Sequence, residues 1–397
     1  MLRSRAERAV LAAWLVVGCE SGHEISRPGA VRTLPGEGAA APAKVEAPPP
    51  DTSPAARKRA CLDALPDVDP ALQPFVRSLC AHFVDHDLPG LAVALVERGE
   101  LVLHVELGRR CSDRSEPVGP ATAFRLGSIS KPITATLVLE QLAAGRPAAL
   151  DETIAAALPG WPATLPRPSY AALLQHRSGV VADIDPALLL ATGGDWRRVL
   201  AEQPAAVEPG TWHYSNVGYV VLGALLEAAS GRDYEALVRA RVGEASSITS
   251  DLARNVDVAC GHLRYGGGVH PLPVTADLAF VPGDARWLSP AGGLLASAED
   301  LARFAATQLE PLTSLACAPL PADARHHAGR DECYGMGLRR WTLASGQRVF
   351  GHAGETGSFS AELLVVPERE LALAMLANAA VDWTPPLRSF EVALDRF

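Results

Sequence analysis

Apolar positions along the chain follow two different periods, and each period predicts a different kind of element. Apolar residues recur at helical intervals over 71–87, which predicts a helix. The stretch 91–108 consists of two β-rich runs about Gly99-Glu100, typical of a hairpin with a glycine-first turn. Residues 131–145 are apolar on nearly every side, which predicts a buried helix.

The second half of the chain changes from mixed helix and loop to a strand-rich end. Region 146–285 is rich in Pro and Gly, with one clear helix at 217–231, and another helix is expected to begin near Ser297. Three strands and a closing helix are predicted at 348–354, 360–368, 371–379 and 386–396. A sheet completed by both chain ends and interrupted by a helical lobe is an α+β design. The cleft between the lobes is the expected place for a site.

The first 60 residues differ from the rest in composition. Residues 1–19 combine a basic start, a short apolar run and small residues before Cys19, which predicts a lipoprotein-type signal with Cys19 lipidated. A plain signal peptide is the alternative. Residues 20–60 are rich in Pro, Ala and Gly and predict a disordered linker, followed by a folded domain over 61–397. We therefore expect an exported, periplasmic protein held at a membrane, by inference the outer one, through its lipid anchor only.

Charge and cysteine content narrow the function further. The net charge is −9 and no dense basic cluster is interleaved with aromatic residues, which argues against a nucleic-acid partner. Six cysteines follow Cys19, and an even number in an exported chain suggests disulfides. The short-range pairs would be Cys61 with Cys80 and Cys317 with Cys333. Cysteine and histidine spacing typical of zinc is missing, so structural zinc is not expected. No cofactor is expected either.

Lysine is rare in this chain and its placement is informative. Only three of the 36 basic residues are lysines, and Lys131 is the only one after residue 58. Ser128 and Lys131 are spaced i, i+3, so they share one face at the start of the predicted helix. The helix N-terminus and burial both lower the pKa of a lysine there, and a neutral amine can take the proton from Ser128. Arginine cannot do this, because its pKa exceeds ~12.

Two further segments carry candidate chemistry. In "TWHYSNVGY", Tyr214 could relay protons, and Asn216 could orient the lysine and bind a substrate amide. In "FGHAGETG", His352 and Gly354 lie on a predicted strand where small residues would let a substrate backbone approach.

At this point the sequence resembles a known family. "GSISK", "YSN" and "HAG" have the order and rough spacing of the three motifs of penicillin-recognising serine hydrolases, and the chain is most similar to the class C β-lactamase-like branch. "LLQHRSGV" and "SPAGGLLASAEDLARF" extend the resemblance over about 70–397. That branch includes DD-carboxypeptidases, D-aminopeptidases and esterases. The resemblance implies a β-lactamase/DD-peptidase-like fold.

The resemblance also implies roles for individual residues. The catalytic residues would be Ser128 as nucleophile, Lys131 as base and Tyr214 as acid/base partner. The backbone N–H groups of Ser128 and Glu355 would form the oxyanion hole. Asn216, His352 and Gly354 would contact the substrate.

Two departures from the family pattern bear on the substrate. His352 replaces a lysine that binds a substrate carboxylate, and a mostly neutral imidazole binds a carboxylate less well. Arg177 stands where the family usually has threonine. We expect an exported serine hydrolase that acts on an ester, an amide or a D-amino-acid peptide, either a small molecule or a cell-wall peptide. The alternatives are a true class C β-lactamase and a catalytically silent scaffold lipoprotein.

Overall fold

A computed structural model describes residues 53–65, 68–147, 149–158, 160–193, 195–203, 207–254, 257–272, 285–325 and 331–394. All of them belong to one compact unit, Asp51–Phe397. The predicted signal segment with Cys19, and the predicted linker up to residue 52, lie outside the described residues.

The described residues form both β-strands and α-helices. The strands are β1 (Gly90–Glu97), β2 (Glu100–Gly108), β3 (Phe124–Arg125), β4 (Gly261–Tyr265), β5 (Gly268–Leu272), β6 (Leu295–Ala296), β7 (Ala318–Pro319), β8 (Cys333–Gly335), β9 (Leu338–Thr342), β10 (Arg348–Glu355), β11 (Ser360–Val366) and β12 (Leu371–Ala377). The α-helices are α1 (Pro54–Asp63), α2 (Gln73–Asp85), α3 (Ser130–Ala143), α4 (Tyr170–Leu174), α5 (Pro186–Ala191), α6 (Trp196–Glu202), α7 (Asn216–Ser230), α8 (Tyr234–Val242), α9 (Ala298–Gln308), α10 (Glu310–Thr313) and α11 (Thr384–Leu394).

Both ends of the domain meet in one antiparallel sheet. Its strand order is β2-β1-β12-β11-β10-β9-β8-β7, and Leu91 of β1 pairs with Ala377 of β12. Helices α3 to α8 lie in the chain between β2 and β10, as expected for an inserted helical lobe. The predicted α+β class, with an antiparallel sheet flanked by helices, is confirmed.

Each face of the sheet buries its own set of alternating apolar residues. On one face, Ala92 and Ala94 of β1 join a core shared with the helical lobe. On the other, Leu91 and Val93 pack with α2 and α11. Burying a side chain of leucine size contributes about 1.5–3 kcal/mol. The sheet is therefore held from both sides, and it is a rigid base for the residues at its β10 edge.

Most helices predicted from periodicity are present, with shifts at their ends. The helix predicted at 71–87 is α2, the one at 217–231 is α7, and Ser297 caps α9 by accepting a hydrogen bond from the Asp300 N–H at 3.2 Å. The first nine residues of α3, Ser130–Val138, are buried as predicted, whereas its last turn is partly exposed.

The sequence prediction was wrong in detail at one turn and missed seven strands. The two central residues of the β1–β2 turn are Arg98 and Gly99, not Gly99 and Glu100, and their φ values of +50° and +82° fit a type I′ turn. The strands β3 to β9 were not predicted, because runs of two to five residues show too few alternations to reveal a period. Two of them, β4 and β5, lie in the region 146–285 that was expected to be helix and loop.

The predicted boundary between linker and domain at residues 60 and 61 falls inside α1. Ser53 caps this helix, and the Cys61–Cys80 disulfide ties it to α2. The described part of the linker, 53–60, is therefore ordered and not disordered as predicted.

All six cysteines of the domain form disulfides. The short-range pairs Cys61–Cys80 and Cys317–Cys333 are present as expected. The third bond, Cys111–Cys260, joins the segment after β2 to the start of β4. Among the helices described, none is long and apolar enough to cross a membrane.

Candidate active site

Ser128 lies on a tight turn between β3 and α3. Residues Gly127–Ile129 form a 3₁₀ turn, and α3 itself begins at Ser130, two residues later than Ser128. Gly127 has φ +52°, and a Cβ there would come within 2.5 Å of the Glu355 backbone nitrogen. Glycine is therefore required before the serine, both for its backbone conformation and for its close approach to β10.

Lys131 is fully buried and makes three polar contacts. Its Nζ lies 2.9 Å from Ser128 Oγ, 2.7 Å from Asn216 Oδ1 and 2.7 Å from the carbonyl oxygen of Ala291. The oxygens of Asn216 and Ala291 can only accept hydrogen bonds. A neutral amine has two N–H groups, so it fills both acceptors and turns its lone pair toward the Ser128 hydroxyl.

Burial favours that neutral amine. Loss of solvation lowers the pKa of Lys131 to about 7, against a smaller opposing effect of the Asp183 carboxylate. A substantial fraction of the lysine is therefore unprotonated at neutral pH. The opposite sign holds for Tyr214, since burial raises its pKa above the ordinary value. Its phenol keeps the proton.

Tyr214 completes the contacts of the serine. Its Oη lies 2.8 Å from Ser128 Oγ, and Lys131 Nζ lies 4.8 Å from the centre of its ring. When the Ser128 hydroxyl donates to a neutral Lys131, its oxygen accepts from the Tyr214 hydroxyl. The serine oxygen thus has one neighbour that can take a proton and one that can give a proton.

Asn216 is held by its position at the start of α7. Ser215 caps this helix by accepting from the Gly218 N–H at 2.9 Å, which sets the direction in which the chain enters the helix. The Asn216 Nδ2 donates to Asp183 Oδ1 at 2.7 Å, while Oδ1 faces Lys131. The amide therefore links the lysine to a carboxylate.

Sequence reasoning missed His176. This buried imidazole lies against Tyr214 with ring centres 4.2 Å apart, and its Nδ1 accepts from the Ser215 N–H at 3.0 Å. Burial lowers its pKa well below the ordinary value, so the ring is neutral. The quoted segment "LLQHRSGV" contains this histidine, but nothing in the local pattern shows its contact with a tyrosine further along the chain.

His352 is placed differently from the expected substrate contact. It is only 4% exposed, its Nε2 lies 2.9 Å from Tyr334 Oη, and its Nδ1 lies 2.6 Å from the Ala353 carbonyl oxygen. Since a carbonyl oxygen only accepts, Nδ1 donates to it, and Nε2 shares a hydrogen bond with the tyrosine hydroxyl. The imidazole is therefore buried, and it hydrogen-bonds to Tyr334 and to its own strand, β10.

Gly354 and Glu355 lie where β10 passes the serine turn. A Cβ on Gly354 would come within 1.9 Å of the Leu126 carbonyl oxygen, so no other residue fits without displacing the strand. In the described chain, β9 pairs with β10 only over Arg348–Gly351. The edge from Ala353 to Glu355 therefore has no strand partner on that side, and an extended substrate could lie along it.

Arg177 does not point into the catalytic cluster. Its guanidinium donates to the carbonyl oxygens of Gly210 at 2.5 Å and Pro319 at 3.0 Å, so it braces two loops. No group of three or more potential metal ligands is present among the described residues.

The family follows from comparison of the whole chain with known proteins. A family model described as Beta-lactamase matches residues 70–394. The chain belongs to the Beta-lactamase family. This family has serine hydrolases as members, and the resemblance seen in the sequence motifs is confirmed.

Individual relatives agree with this assignment. The chain is 30% identical over 329 residues to penicillin-binding protein 4 of Amycolatopsis lactamdurans, covering 75% of this chain and 82% of the relative. It is 25% identical over 334 residues to a beta-lactamase of Escherichia coli (strain K12), covering 73% and 84%. The structure of a D-alanine carboxypeptidase from Burkholderia cenocepacia has a TM-score of 0.65 at 20% identity, covering 82% of this chain and 99% of the other, and supports the fold.

Proposed function

We propose that this protein is an exported serine hydrolase that forms an acyl-enzyme on Ser128. The observation that carries the proposal is the position of Ser128 Oγ, 2.9 Å from Lys131 Nζ and 2.8 Å from Tyr214 Oη. The substrate is an ester, an amide or a D-amino-acid peptide, which all present a carbonyl carbon to a nucleophile.

Acylation uses the neutral lysine. Lys131 Nζ takes the Ser128 proton as Oγ forms a bond to the carbonyl carbon, and the carbonyl oxygen becomes an oxyanion. The backbone N–H groups of Ser128 and Glu355 are proposed to stabilise that oxyanion. The close approach of β10 to the serine turn supports this, since a Cβ on Gly127 would lie only 2.5 Å from the Glu355 backbone nitrogen. When the bond to the leaving group breaks, Tyr214 donates its proton to that group, and the Lys131 ammonium returns a proton to the tyrosine.

Deacylation repeats the same steps with water. Tyr214 and Lys131 remove a proton from the attacking water, the carbonyl carbon gains a hydroxyl, and Ser128 leaves with the proton held by the lysine. The acid product departs and the cluster returns to its starting state. In each half of the cycle the cluster releases the proton that it took up: acylation passes the Ser128 proton to the leaving group, and deacylation passes a proton from water back to Ser128.

Export and lipid anchoring through Cys19 are part of the proposal. They rest on the basic and apolar pattern of residues 1–19, and three disulfides in the domain support an oxidising compartment. Membrane fractionation of wild type and Cys19→Ser tests the anchor. Release of the variant from the membrane fraction supports it, and unchanged retention argues against it.

The nucleophile is tested by labelling with a fluorophosphonate and measuring the mass of the intact domain. A single adduct is expected on wild type and on Ser115→Ala, which removes an exposed serine of a surface loop. No adduct is expected on Ser128→Ala. A folded wild type that takes no label would contradict the proposal and favour the catalytically silent scaffold.

A second candidate, true class C β-lactamase activity, rests on the relative of that name. His352 is buried and its two ring nitrogens already contact Tyr334 and the Ala353 carbonyl oxygen, so it offers a poor partner for the carboxylate of a β-lactam. Turnover of a chromogenic cephalosporin at a rate above that of ester hydrolysis would favour this candidate.

A further inference from the structure

The loop 181–183 is fastened to the catalytic cluster by its backbone. The Ala182 carbonyl oxygen accepts from the N–H groups of Asn216 at 2.8 Å and Val217 at 3.2 Å. The Val181 carbonyl oxygen accepts from Ser215 Oγ at 2.6 Å. The position of Asp183, the next residue, is thereby set relative to α7, and its Oδ1 accepts from the Asn216 amide at 2.7 Å.

Asp183 carries a carboxylate with no ion-pair partner among the residues that the structure describes. Its side chain is exposed, and within the described ranges no Lys, Arg or His forms an ion pair with it. One carboxylate oxygen is used by Asn216, which leaves Oδ2 and the remaining lone pairs for a donor from solvent or substrate. The negative charge of Asp183 acts on the catalytic cluster, since it raises the pKa of Lys131 against the larger, lowering effect of burial.

On the other side of the cluster, the described residues place no exposed cation opposite Asp183. His352 is buried and both of its ring nitrogens contact protein oxygens, and the side chain of Glu355 on β10 is exposed and acidic. Arg339 lies close enough to lower the pKa of Tyr214, but it is buried and donates to Glu332 Oε1 at 2.7 Å. In the described part of the chain, two exposed carboxylates, those of Asp183 and Glu355, therefore belong to residues that lie close to the catalytic cluster.

We propose that this site selects acyl donors bearing an ammonium group on the acyl portion, and that Asp183 is the carboxylate that binds it. The inference rests on the proposed function, because it names the substrate class of the same site. An ammonium has three donors and no acceptor, so it fits the open oxygen of Asp183. Donors with a carboxylate in that position are repelled by Asp183.

Paired acyl donors test the proposal on the purified domain. The cationic donors are alanine p-nitroanilide, in both enantiomers, and β-alanine p-nitroanilide; their N-acetyl derivatives are neutral and their N-succinyl derivatives anionic. The variant Asp183→Asn removes the charge but keeps an oxygen for the Asn216 amide. Asp63→Asn, at the exposed end of α1 on the opposite face of the sheet, changes the net charge equally and is the matched control.

Asp183→Asn is expected to lower kcat/KM for the cationic donors about two- to fivefold, the upper part of the range for one charge pair at a solvent-exposed site. The change on the neutral donors measures the effect of the variant on Asn216 and Lys131, and the loss on the cationic donors should exceed it, while the anionic donors should improve relative to the neutral ones. Asp63→Asn should leave all three classes unchanged. In wild type, 0.5 M NaCl should reduce the preference for cationic donors, because salt screens exposed charges.

Three results would overturn the inference. The first is an equal loss on all donors in Asp183→Asn, which would make Asp183 a positioning residue for Asn216 only. The second is a wild type that prefers the succinylated donors. The third is a domain whose Ser128 takes the fluorophosphonate but whose cationic donors are not hydrolysed. If Ser128 takes no label, the proposed function fails as well, so the two failures can be told apart.

Discussion

Lys131 Nζ and Asn216 Oδ1 lie 2.7 Å apart in the interior of the protein. The amide oxygen takes one N–H of the amine and the Ala291 carbonyl oxygen takes another. The lone pair of the neutral amine then has only the serine hydroxyl to face. Lys131 is thus oriented before any substrate binds. Its orientation depends on Asn216, whose amide is held by a hydrogen bond to the Asp183 carboxylate.

Replacing Lys131 should stop acylation whether or not the positive charge is kept. Lys131→Arg retains the charge but cannot release a proton at neutral pH. Lys131→Met removes the base altogether. Loss of a general base lowers rates by about 10²–10⁴-fold, and we expect both variants to lose fluorophosphonate labelling by that order. Lys58→Arg, in an exposed ion pair with Asp85, is the control and should label like wild type.

The rate of acylation should rise with pH through about 7, because the unprotonated fraction of Lys131 increases there. The Asp183 carboxylate raises the pKa of the lysine, so in Asp183→Asn the rise in labelling rate should occur at lower pH. Labelling rates between pH 5.5 and 9 give both profiles. If the pH profile of the variant coincides with that of wild type, the charge of Asp183 does not influence the pKa of Lys131.

Lys131 should also leave a signature in stability. The folded-state pKa of about 7 lies below the ordinary 10.5, so between these values the unfolded chain binds the additional proton and stability rises with pH. Lys131→Met lacks this dependence. We expect its free energy of unfolding to exceed that of wild type most at pH 6, with the difference shrinking by ~2 kcal/mol at pH 9. Urea unfolding at both pH values measures it, and a constant difference would contradict it.

His176 should act as a positioning residue for Tyr214. His176→Phe keeps a ring against the tyrosine but removes the acceptor of the buried Ser215 N–H, and an unpaired buried donor costs about 1–3 kcal/mol. His176→Asn restores an acceptor and suits the φ of +57°. If the histidine positions the tyrosine, labelling should be slower in the phenylalanine variant and partly recovered in the asparagine variant. Equal rates in both folded variants would exclude that role.

Gly354→Ala should impair labelling and stability together. The added Cβ would collide with the Leu126 carbonyl oxygen, so β10 must move away from the serine turn. Gly119→Ala adds the same methyl group where nothing lies within 4 Å, at a φ outside the left-handed region, and serves as the control. Thermal unfolding and labelling of the two variants separate a local collision from a general effect of alanine.

The sequence predicted those parts of the protein whose evidence is local. Helix α7 and the strands β10 to β12 follow from periods of several turns or alternations, and Ser128 and Lys131 share one turn of chain. Burial of α3 was predictable because its apolar residues leave no polar face. The Cys61–Cys80 and Cys317–Cys333 bonds follow from short separations.

The sequence did not predict contacts made across long distances. His176 meets Tyr214, and Asp183 meets Asn216, only after the helical lobe has folded. The inward turn of His352 depends on Tyr334, a residue on the unpredicted strand β8. A motif indicates which residues a family uses, whereas the direction of each side chain depends on neighbours that the motif does not contain.

The pairing of β1 with β12 has a consequence for the order of folding. Leu91 meets Ala377, so the first hairpin of the domain cannot find its neighbour until almost the whole chain has been synthesised. Pairings of such large sequence separation form slowly, because the intervening chain must be closed into a loop first. Until then β1 presents an open apolar edge, which pairs readily with other chains. During that interval the unpaired edge of β1 makes the nascent protein prone to aggregation with other unfolded chains.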